Sequence, residues 1–365
     1  MNFNNELRSW KSMLWQFLPN YNLSVEDNGL FSMTCVANGF TITDKKGYND
    51  SLYNVYDINS AYPYMISTQQ FPLDQEMEFI EDAHTFEDRL GIVEILFKGI
   101  PTPKYKDLDY FIFDGFVLEL DKDKDIYCIH LTTLDAQIFL DMYEVKNPHI
   151  RNVWYFKNVG YLKGMQNNIP QFYESVRKIK EENKEEGKSY KQILNMVSYG
   201  MLIQIDVEAS EKHETLLRND KVLLGMWVAS YQRFRMFQLF KKYQEDILYM
   251  DTDSIMLKAN RKFEEPVSKT ELGKFKVEAN NVNIAVIRPK SYVFIKDRKV
   301  VKQKIGGIDR DLTVIELKKL FTFGSVEIQE EIYEWNEKTE WNDKVIQTLT
   351  VSLYYPYNFG SLSLD

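Results

Sequence analysis

Two acidic residues lie between short apolar runs in the segment Tyr249-Met250-Asp251-Thr252-Asp253-Ser254. The flanking runs, Ile247 to Met250 and Ile255 to Leu257, predict the two strands of a hairpin. Side chains two positions apart on an extended strand point to the same face, so Asp251 and Asp253 can serve one site. Asp and Ser are also common turn formers, so a plain turn is the alternative explanation.

A third acid, Asp57, follows the apolar run Ser51 to Tyr56, which predicts another strand. Asn59 and Ser60 come next and are typical residues at the start of a helix. A carboxylate here can meet the hairpin acids across an antiparallel sheet, where helix-start amides and Ser60 can hold a phosphate. Three carboxylates can hold two Mg²⁺ ions about 4 Å apart. A helix cap is the alternative role for Asp57.

The segment from Lys188 to Gly200 predicts a helix with Lys191 and Asn195 one turn apart and an aromatic residue, Tyr199, further along. A lysine ammonium can bind a triphosphate, and an aromatic ring can stack on a base. An ordinary amphipathic helix explains the same pattern. Lys178 and Lys180, in a nearby charged run, are further candidates for triphosphate contacts.

These three segments resemble the polymerase motifs of family B DNA polymerases, written DxxSLYP, KxxxNSxYG and YxDTDS, and they occur in the same order. Lys290-Ser291-Tyr292 resembles the KxY motif of the protein-primed branch. Lys302 to Ile308 resembles the lysine-containing segment before the thumb. The resemblance extends from about Ala37 to Glu331.

The resemblance implies an α+β, right-hand fold with an antiparallel-sheet palm, helical fingers and a small thumb. Residues 1–63 would form the first palm portion, and residues 64–165 would continue the palm with an insertion like the terminal-protein region. The fingers would be 166–243, the palm with the hairpin and KxY segment 244–308, and the thumb and tail 309–365.

It also implies template-directed addition of dNTPs to a DNA primer with two Mg²⁺ ions, for which Mn²⁺ can substitute. A terminal protein would supply the first hydroxyl. The ring of Tyr62 would lie under the sugar and exclude a 2′-hydroxyl. The implied catalytic residues are Asp57, Asp251 and Asp253, with Asp57, Ile58 and Asp253 at the metals. The implied nucleotide contacts are Ser60, Ala61, Tyr62, Lys180, Lys191, Asn195 and Tyr199, and the implied primer and DNA contacts are Thr252, Ser254, Lys290, Tyr292 and Lys304.

Several features depart from the family pattern. Only 56 residues precede Asp57, so we expect no proofreading exonuclease in this sequence, with a separate exonuclease as a possible partner. Val36 to Gly39 stands where the family has YxGG, and Ala61 stands where it has Leu. Lys191 is one residue too far from Tyr199, which leaves Gln192 and Met196 as alternatives unless a π-bulge absorbs the extra residue.

The family has two insertions in its polymerase region, and only the second is expected to be shortened in this sequence. Leu131 to Gly164 resembles the insertion that guides the priming protein. The interval from Gly200 to Tyr249 is shorter than in well-known members, so the second insertion is expected to be trimmed and the enzyme to be distributive and poor at strand displacement.

Composition narrows the class of protein. The net charge of -9 and the pI near 5.2 argue against a uniformly basic nucleic-acid surface but allow a local basic channel. No apolar run is long enough for a membrane span, and the two cysteines lack a disulfide framework, which predicts a cytoplasmic protein. The histidines, His84, His130, His149 and His213, lack zinc spacing and are expected in the core or on the surface.

Periodicity predicts further strands at Gly91 to Phe97, Phe111 to Leu120 and Ile126 to Leu131. It predicts helices at Thr132 to Tyr143, Ile169 to Lys184, Ser189 to Ile203 and Leu223 to Tyr243. Two other functions stay open on the sequence. One is untemplated or protein-directed nucleotide transfer on the same acids, and the other is a non-catalytic binding module with a polymerase fold.

Overall fold

The computed structural model describes residues 13–14, 16–19, 21, 39–44, 50–110, 113, 117–200, 202, 221–308, 310–336, 341–353 and 364, without the side chains of 110, 330–336 and 341–345. Val36 to Asn38, His213 and the predicted helix end at Ile203 therefore lie outside the described residues. Within these ranges no helix is both long and apolar enough to cross a membrane.

The strands alternate irregularly with helices along the chain. They are β1 (Thr41–Asp44), β2 (Tyr53–Ile58), β3 (Gln70–Pro72), β4 (Met77–Glu81), β5 (Gly91–Pro103), β6 (Leu108–Tyr110), β7 (Leu118–Asp121), β8 (Ile126–Thr132), β9 (Tyr143–Phe156), β10 (Val159–Tyr161), β11 (Ile247–Asp251), β12 (Ser254–Lys258), β13 (Phe275–Arg288), β14 (Ser291–Lys296), β15 (Lys299–Lys304), β16 (Ser325–Asn336) and β17 (Trp341–Ser352). The helices are α1 (Ala61–Thr68), α2 (Thr133–Met142), α3 (Lys163–Glu182), α4 (Lys184–Asn195), α5 (Val222–Tyr243) and α6 (Val314–Phe323). A π-helical turn, Met196–Gly200, continues α4.

The largest sheet has eight strands in the order β15-β14-β13-β2-β12-β11-β1-β6. Its pairs are antiparallel. Strand β2 lies in the interior of this sheet, between β12 and β13, and most of its side chains are buried. Its apolar residues, Tyr53, Val55, Tyr56 and Ile58, are the ones that are buried. The sheet therefore brings the end of β2 beside the β11–β12 hairpin.

A second sheet has five strands in the order β4-β9-β5-β8-β7, again with antiparallel pairs. Helix α2 connects β8 to β9. The side chain of Thr132 caps this helix by accepting a hydrogen bond from the Asp135 amide, as its Thr-Thr-Leu-Asp start predicts. Two smaller ladders, β3–β10 and β16–β17, complete the described strands.

Helix α5 is buried on almost every side. Its first turns, including Trp227, pack with α1, α3 and α4 in one hydrophobic cluster. Its later turns, including Phe237 and Phe240, pack between the two large sheets in another cluster. A helix that is apolar all round is expected in a protein interior, and this one contributes to both cores.

The α+β class and most predicted elements are confirmed. Helix α5 and strand β8 match their predicted bounds to within one residue. Of the strand predicted from Phe111 to Leu120, the last three residues belong to β7 and Phe113 forms a bend, while residues 111–112 and 114–116 lie outside the described part of the chain. Aromatic residues there favoured a strand, but Phe113 instead packs its ring against Phe139 of α2.

Helices α3 and α4 begin earlier than predicted, at Lys163 and Lys184. They meet at Asn183, whose side chain accepts hydrogen bonds from the amides of Glu185 and Glu186. The charged run from Glu181 to Gly187 is therefore a junction between two helices, since Asn is a strong N-cap residue. Gly187 is needed in this junction, because a Cβ there would lie 2.4 Å from the Cα of Lys180.

Candidate active site

The β11–β12 hairpin turns on only two residues. Asp251 pairs with Ser254 across the ladder, and Thr252 and Asp253 form the turn, with Thr252 in the left-handed region at φ 57°. The expectation that Asp251 and Asp253 lie on one extended strand is therefore wrong, because Asp253 lies in the turn. The two carboxylates still interact, and the charge of Asp251 is one of the causes that raise the pKa of Asp253.

The turn is held by its neighbours on two sides. The Thr252 amide donates to the carbonyl of Phe40 at 3.0 Å, and Gln232 of α5 donates to the Thr252 carbonyl at 2.8 Å. Gly39 permits this approach, because a Cβ at that position would lie 2.3 Å from the Thr252 hydroxyl. The tip of the hairpin is thus held by contacts within the chain.

Asp57 is the penultimate residue of β2, one residue inside the strand rather than after it. Its neighbours in register are Ser254 on β12 and Lys276 on β13. The amide of Ile58 donates to the carbonyl of Asp253 at 2.9 Å, which joins the end of β2 to the hairpin turn. The predicted meeting of Asp57 with the hairpin acids across an antiparallel sheet is confirmed.

Asp57 and Asp253 both have pKa values above the usual range of an aspartate. Burial, together with the charges of Asp57 and Asp251, raises the pKa of Asp253 to about 7, against the opposing effect of Lys191 and Lys276. Burial also raises the pKa of Asp57, with Lys276 acting in the opposite direction. Neighbouring, partly buried carboxylates with raised pKa values are typical of functional sites.

Asp251 has a different environment. Lys290 forms an ion pair with its Oδ1 atom at 2.9 Å, and the hydroxyls of Thr252 and Tyr249 donate to Oδ1 and Oδ2 at 3.0 and 3.3 Å. The Lys290 amide in turn donates to the Tyr249 hydroxyl at 2.7 Å. Asp251 therefore has several hydrogen-bonding and charged partners within the protein.

The start of α1 has a strained backbone. Ser60 has φ 51° and ψ 67°, and its side chain makes no capping hydrogen bond, so the expected role of Ser60 as a side-chain cap is wrong. Asn59 does not act as a cap either, because its amide group donates to the carbonyls of Ser268 and Glu271 at 2.9 and 3.0 Å. Left-handed non-glycine residues of this kind concentrate at functional sites. Ala61, next along the chain, is buried.

Tyr62 and Tyr199 stack with ring centroids 4.2 Å apart. Tyr199 belongs to the π-helical turn, which absorbs the extra residue between Lys191 and Tyr199, so the predicted π-bulge is confirmed. Lys191 acts electrostatically on both Asp57 and Asp253. Asn195 is exposed, whereas Met196 packs against the core.

Lysines converge on the two acids. Burial lowers the pKa of Lys180, and the nearby charges of Lys191 and Lys276 lower it further. Lys191 and Lys276 therefore act electrostatically on Lys180 as well as on the two acids. Tyr292 and Lys304 pair across β14 and β15, with the ammonium 5.9 Å from the ring centroid. The hydroxyl of Ser254 donates back to the Asp251 carbonyl.

Lys276 is the main residue that the sequence motifs missed. Its ammonium lies 2.7 Å from Asp57 Oδ1 and 3.5 Å from Glu278, which also pairs with Lys302 at 2.8 Å. The alternation Lys274-Phe275-Lys276-Val277-Glu278 was the available signal, since it places Lys276 and Glu278 on one face of a strand.

No protein-family model and no curated protein matches the chain, but solved structures do. Phi29 DNA polymerase in a ternary complex with primer-template DNA and incoming nucleotide substrates matches it with a TM-score of 0.70 at 17% identity, over 96% of this chain and 67% of that one. The chain has a DNA polymerase fold. Phi29 DNA polymerase with single-stranded DNA matches with a TM-score of 0.64 at 17% identity, over 96% of this chain and 67% of that chain. An orthorhombic crystal form of the same polymerase matches with a TM-score of 0.62 at 18% identity, over 92% of this chain and 65% of that one. The matched part spans about two thirds of the Phi29 polymerase chains.

Proposed function

We propose that this chain is a DNA-directed DNA polymerase of the protein-primed family B type, adding deoxynucleotides by a two-metal mechanism. The observation that carries the proposal is the pair of half-buried carboxylates, Asp57 and Asp253, which interact at the edge of a lysine cluster. Adjacent carboxylates are suited to divalent cations, and the neighbouring lysines are suited to an anionic substrate that arrives with them.

The residues present suit such ions. Asp57 and Asp253 would hold them, with Ile58 at the same edge, and both acids are oxygen donors of the kind that Mg²⁺ and Mn²⁺ prefer. When bound, the ions would activate the attacking hydroxyl and stabilise the leaving pyrophosphate. Asp251, held by Lys290, fixes the hairpin and keeps the local charge negative.

The lysines provide the anion-binding side of the site. Lys191 and Lys180 neutralise the triphosphate, and the exposed Asn195 lies one turn beyond Lys191. Lys276 pairs with Asp57 and would contact a phosphate oxygen when the substrate binds. These groups position the substrate by charge, which is the main protein contribution in phosphoryl transfer.

The Tyr62–Tyr199 stack provides the selectivity for deoxyribose. Tyr62 supports the sugar from below and leaves no room for a 2′-hydroxyl, while Tyr199 and the backbone at Ser60 and Ala61 shape the pocket for the nascent base pair. Lys290, Tyr292 and Lys304 steady the primer terminus beside the hairpin, near Thr252 and Ser254.

These roles lead us to assign the palm, the fingers and the thumb as follows. The eight-stranded sheet is the palm, residues 166–243 are the fingers, and 309–365 form the thumb and tail. The segment from Leu131 to Gly164, which forms α2, β9 and β10, is the region that meets a terminal protein. A separate exonuclease is a further candidate partner.

Primer extension tests the proposal. A labelled primer-template, dNTPs and Mg²⁺ should give extended products that follow the template sequence, and Asp253→Ala should give none. Asp123→Ala, at an exposed turn, is the matched control and should extend normally. Equal products with and without template would favour untemplated nucleotide transfer. An inactive wild-type chain that still binds primer-template would favour a non-catalytic module.

A further inference from the structure

Two histidines far apart in the sequence meet on one edge of the five-stranded sheet. Strand β4 pairs with β9 as far as Glu81 and Asn152, and the following residues continue along β9. The amides of Ala83 and His84 donate to the carbonyls of Arg151 and Ile150 at 3.2 and 3.0 Å. This backbone pairing brings the loop after β4 beside His149.

Asp82 lies between the two imidazoles. Its Oδ1 atom is 2.8 Å from His149 Nε2, and its Oδ2 atom is 3.6 Å from His84 Nε2. The ring centroids of the histidines are 5.3 Å apart, and one donor atom from each of the three residues lies within 4.8 Å of the others. All three side chains are exposed or half-buried, so an ion can reach them from solvent.

We propose that Asp82, His84 and His149 form a binding site for a divalent transition-metal ion, of which Zn²⁺ is the best match. Two imidazole nitrogens and one carboxylate oxygen are a ligand set that Zn²⁺ commonly uses, with water in the fourth position. Metal bonds of about 2.0–2.1 Å in a tetrahedron place the donor atoms roughly 3.3 Å apart. His149 Nε2 lies 2.8 Å from Oδ1 of Asp82 and His84 Nε2 lies 3.6 Å from Oδ2, so each nitrogen is within about half an ångström of that spacing from one of the two carboxylate oxygens.

The backbone holds the loop in this arrangement. Asp82 and His84 both have left-handed φ values, 47° and 60°. Such residues cost free energy unless the surroundings hold them, and here the two hydrogen bonds to β9 do so. The ligands are therefore positioned by the sheet, and the spacing in sequence gives no indication of the site.

A second cluster in the same sheet shows what a metal site must lack. Glu94, Cys128 and His130 also bring donor atoms within 4.8 Å of one another. However, Arg151 binds Glu94 through two nitrogens, so a cation already occupies the carboxylate. Burial raises the pKa of the Cys128 thiol to about 12, so sulfur stays protonated. Within the described residues the Asp82 cluster has neither obstacle.

A bound ion would tie the loop after β4 to β9 and brace the edge of this sheet. The site is separate from the proposed polymerase centre, so the proposal holds whether or not the chain synthesises DNA. It also differs in ligand chemistry, because imidazole nitrogen favours Zn²⁺ and Co²⁺ over Mg²⁺.

Metal titration tests the site in the intact chain. Zn²⁺ affinity would be measured by competition with a chromophoric chelator, and Co²⁺ would report its ligands through visible absorption. We expect one site with strong tetrahedral Co²⁺ bands. His84→Ala or His149→Ala should weaken Zn²⁺ binding by more than roughly tenfold, and the double variant should lose the Co²⁺ bands. Thermal unfolding should shift upward with Zn²⁺ only in chains that keep both histidines.

Two control variants make the result decisive. Glu81→Gln removes one exposed charge beside the cluster and should bind Zn²⁺ like the wild type. Asp57→Asn/Asp253→Asn removes the polymerase acids and should keep the Co²⁺ bands. Unchanged Zn²⁺ affinity in His84→Ala/His149→Ala would overturn the proposal. So would Co²⁺ bands that survive in that variant and disappear in Asp57→Asn/Asp253→Asn.

Discussion

Between α2 and α5, Asp135 and Arg233 form an ion pair whose side chains are 1% and 2% exposed. Both carboxylate oxygens of Asp135 accept hydrogen bonds from Arg233, and Ser230 and Thr132 bind the same carboxylate. At the hairpin, Asp253 is half-buried, and no lysine or arginine of the described residues forms an ion pair with it, while the charges of Asp57 and Asp251 add to burial in raising its pKa. Asp135 is fully buried and Asp253 only partly, and the two regions also differ in whether an ion pair supplies the opposite charge.

The comparison separates a structural role from a functional one. A fully paired buried acid contributes to a specific packing arrangement, and removal of its partner leaves a charge without compensation. Acids that repel one another are costly to bury and are retained where a ligand supplies the missing charge. The two regions should therefore respond to the same substitution in opposite ways.

The largest effect is expected at the hairpin. Asp253→Asn should lower the rate of nucleotide addition at least about a thousandfold, which corresponds to about 4 kcal/mol in the barrier. The thermal unfolding temperature should be unchanged or slightly higher, because a repelling charge is removed. Single-turnover extension and calorimetry measure the two quantities. Asp123→Asn is the control, and substantial extension by Asp253→Asn would contradict the metal assignment. Asp57→Asn should behave like Asp253→Asn, and Asp251→Asn should be milder.

The same substitution at the paired site should act on stability. Asp135→Asn should lower the free energy of unfolding by about 3–5 kcal/mol, since it leaves the Arg233 guanidinium buried without its partner. Chemical denaturation measures the loss. Replacing both residues, Asp135→Leu with Arg233→Met, should recover much of it. A stability loss below about 1 kcal/mol in Asp135→Asn would remove the distinction between the two regions.

Tyr62 lies where the two regions meet. Burial raises the pKa of its hydroxyl, and the charges of Arg233 and Asp253 both act on it. Tyr62→Val should increase ribonucleotide incorporation by at least about tenfold, or 1.4 kcal/mol, while DNA synthesis continues. Competition between a dNTP and its rNTP measures this ratio. Tyr62→Phe keeps the ring and should discriminate like the wild type; unchanged discrimination in Tyr62→Val would assign Tyr62 to packing alone.

The smallest effect concerns pH and a second paired acid. Burial acts to raise the pKa of Glu94, but hydrogen bonds from His130 and Arg151, together with their charges, lower it to about 2. Because the folded pKa lies below the unfolded one, Glu94 stabilises the fold above pH 4.5 and loses that effect as the pH falls toward 2.

The Glu94 contribution is on the order of 1–2 kcal/mol. Unfolding free energies from pH 7 to pH 3 should fall less steeply in Glu94→Gln than in the wild type, although the variant starts from a lower value. Asp123→Asn, which changes an exposed carboxylate, should follow the wild-type slope. Parallel curves for Glu94→Gln and wild type would show that the pair adds no stability.

The sequence predicted those parts of the site that depend on short-range order. Local apolar patterns predict the hairpin, strand β2 and helix α5. The one extra residue between Lys191 and Tyr199 predicts the π-helical turn that contains Tyr199. Contacts set by long-range register could not be predicted in the same way. Lys276 meets Asp57 only because β13 pairs with β2, and His84 meets His149 only because the loop after β4 follows β9.

Side-chain conformations were the least predictable. Ser60 and Asn59 have the residue types of a helix cap, yet Ser60 adopts a left-handed backbone and Asn59 binds the loop at Ser268. The competition between these hydrogen bonds depends on a loop more than two hundred residues away, which no local pattern encodes.

Helix α5 has a consequence for how this molecule unfolds. One end of the helix belongs to the core beneath α1, α3 and α4, and the other end belongs to the core between the sheets. Neither core can lose its packing without exposing part of the same helix, so the two should melt as one cooperative unit. Amide hydrogens near the middle of α5 should be among the slowest in the described chain to exchange with solvent.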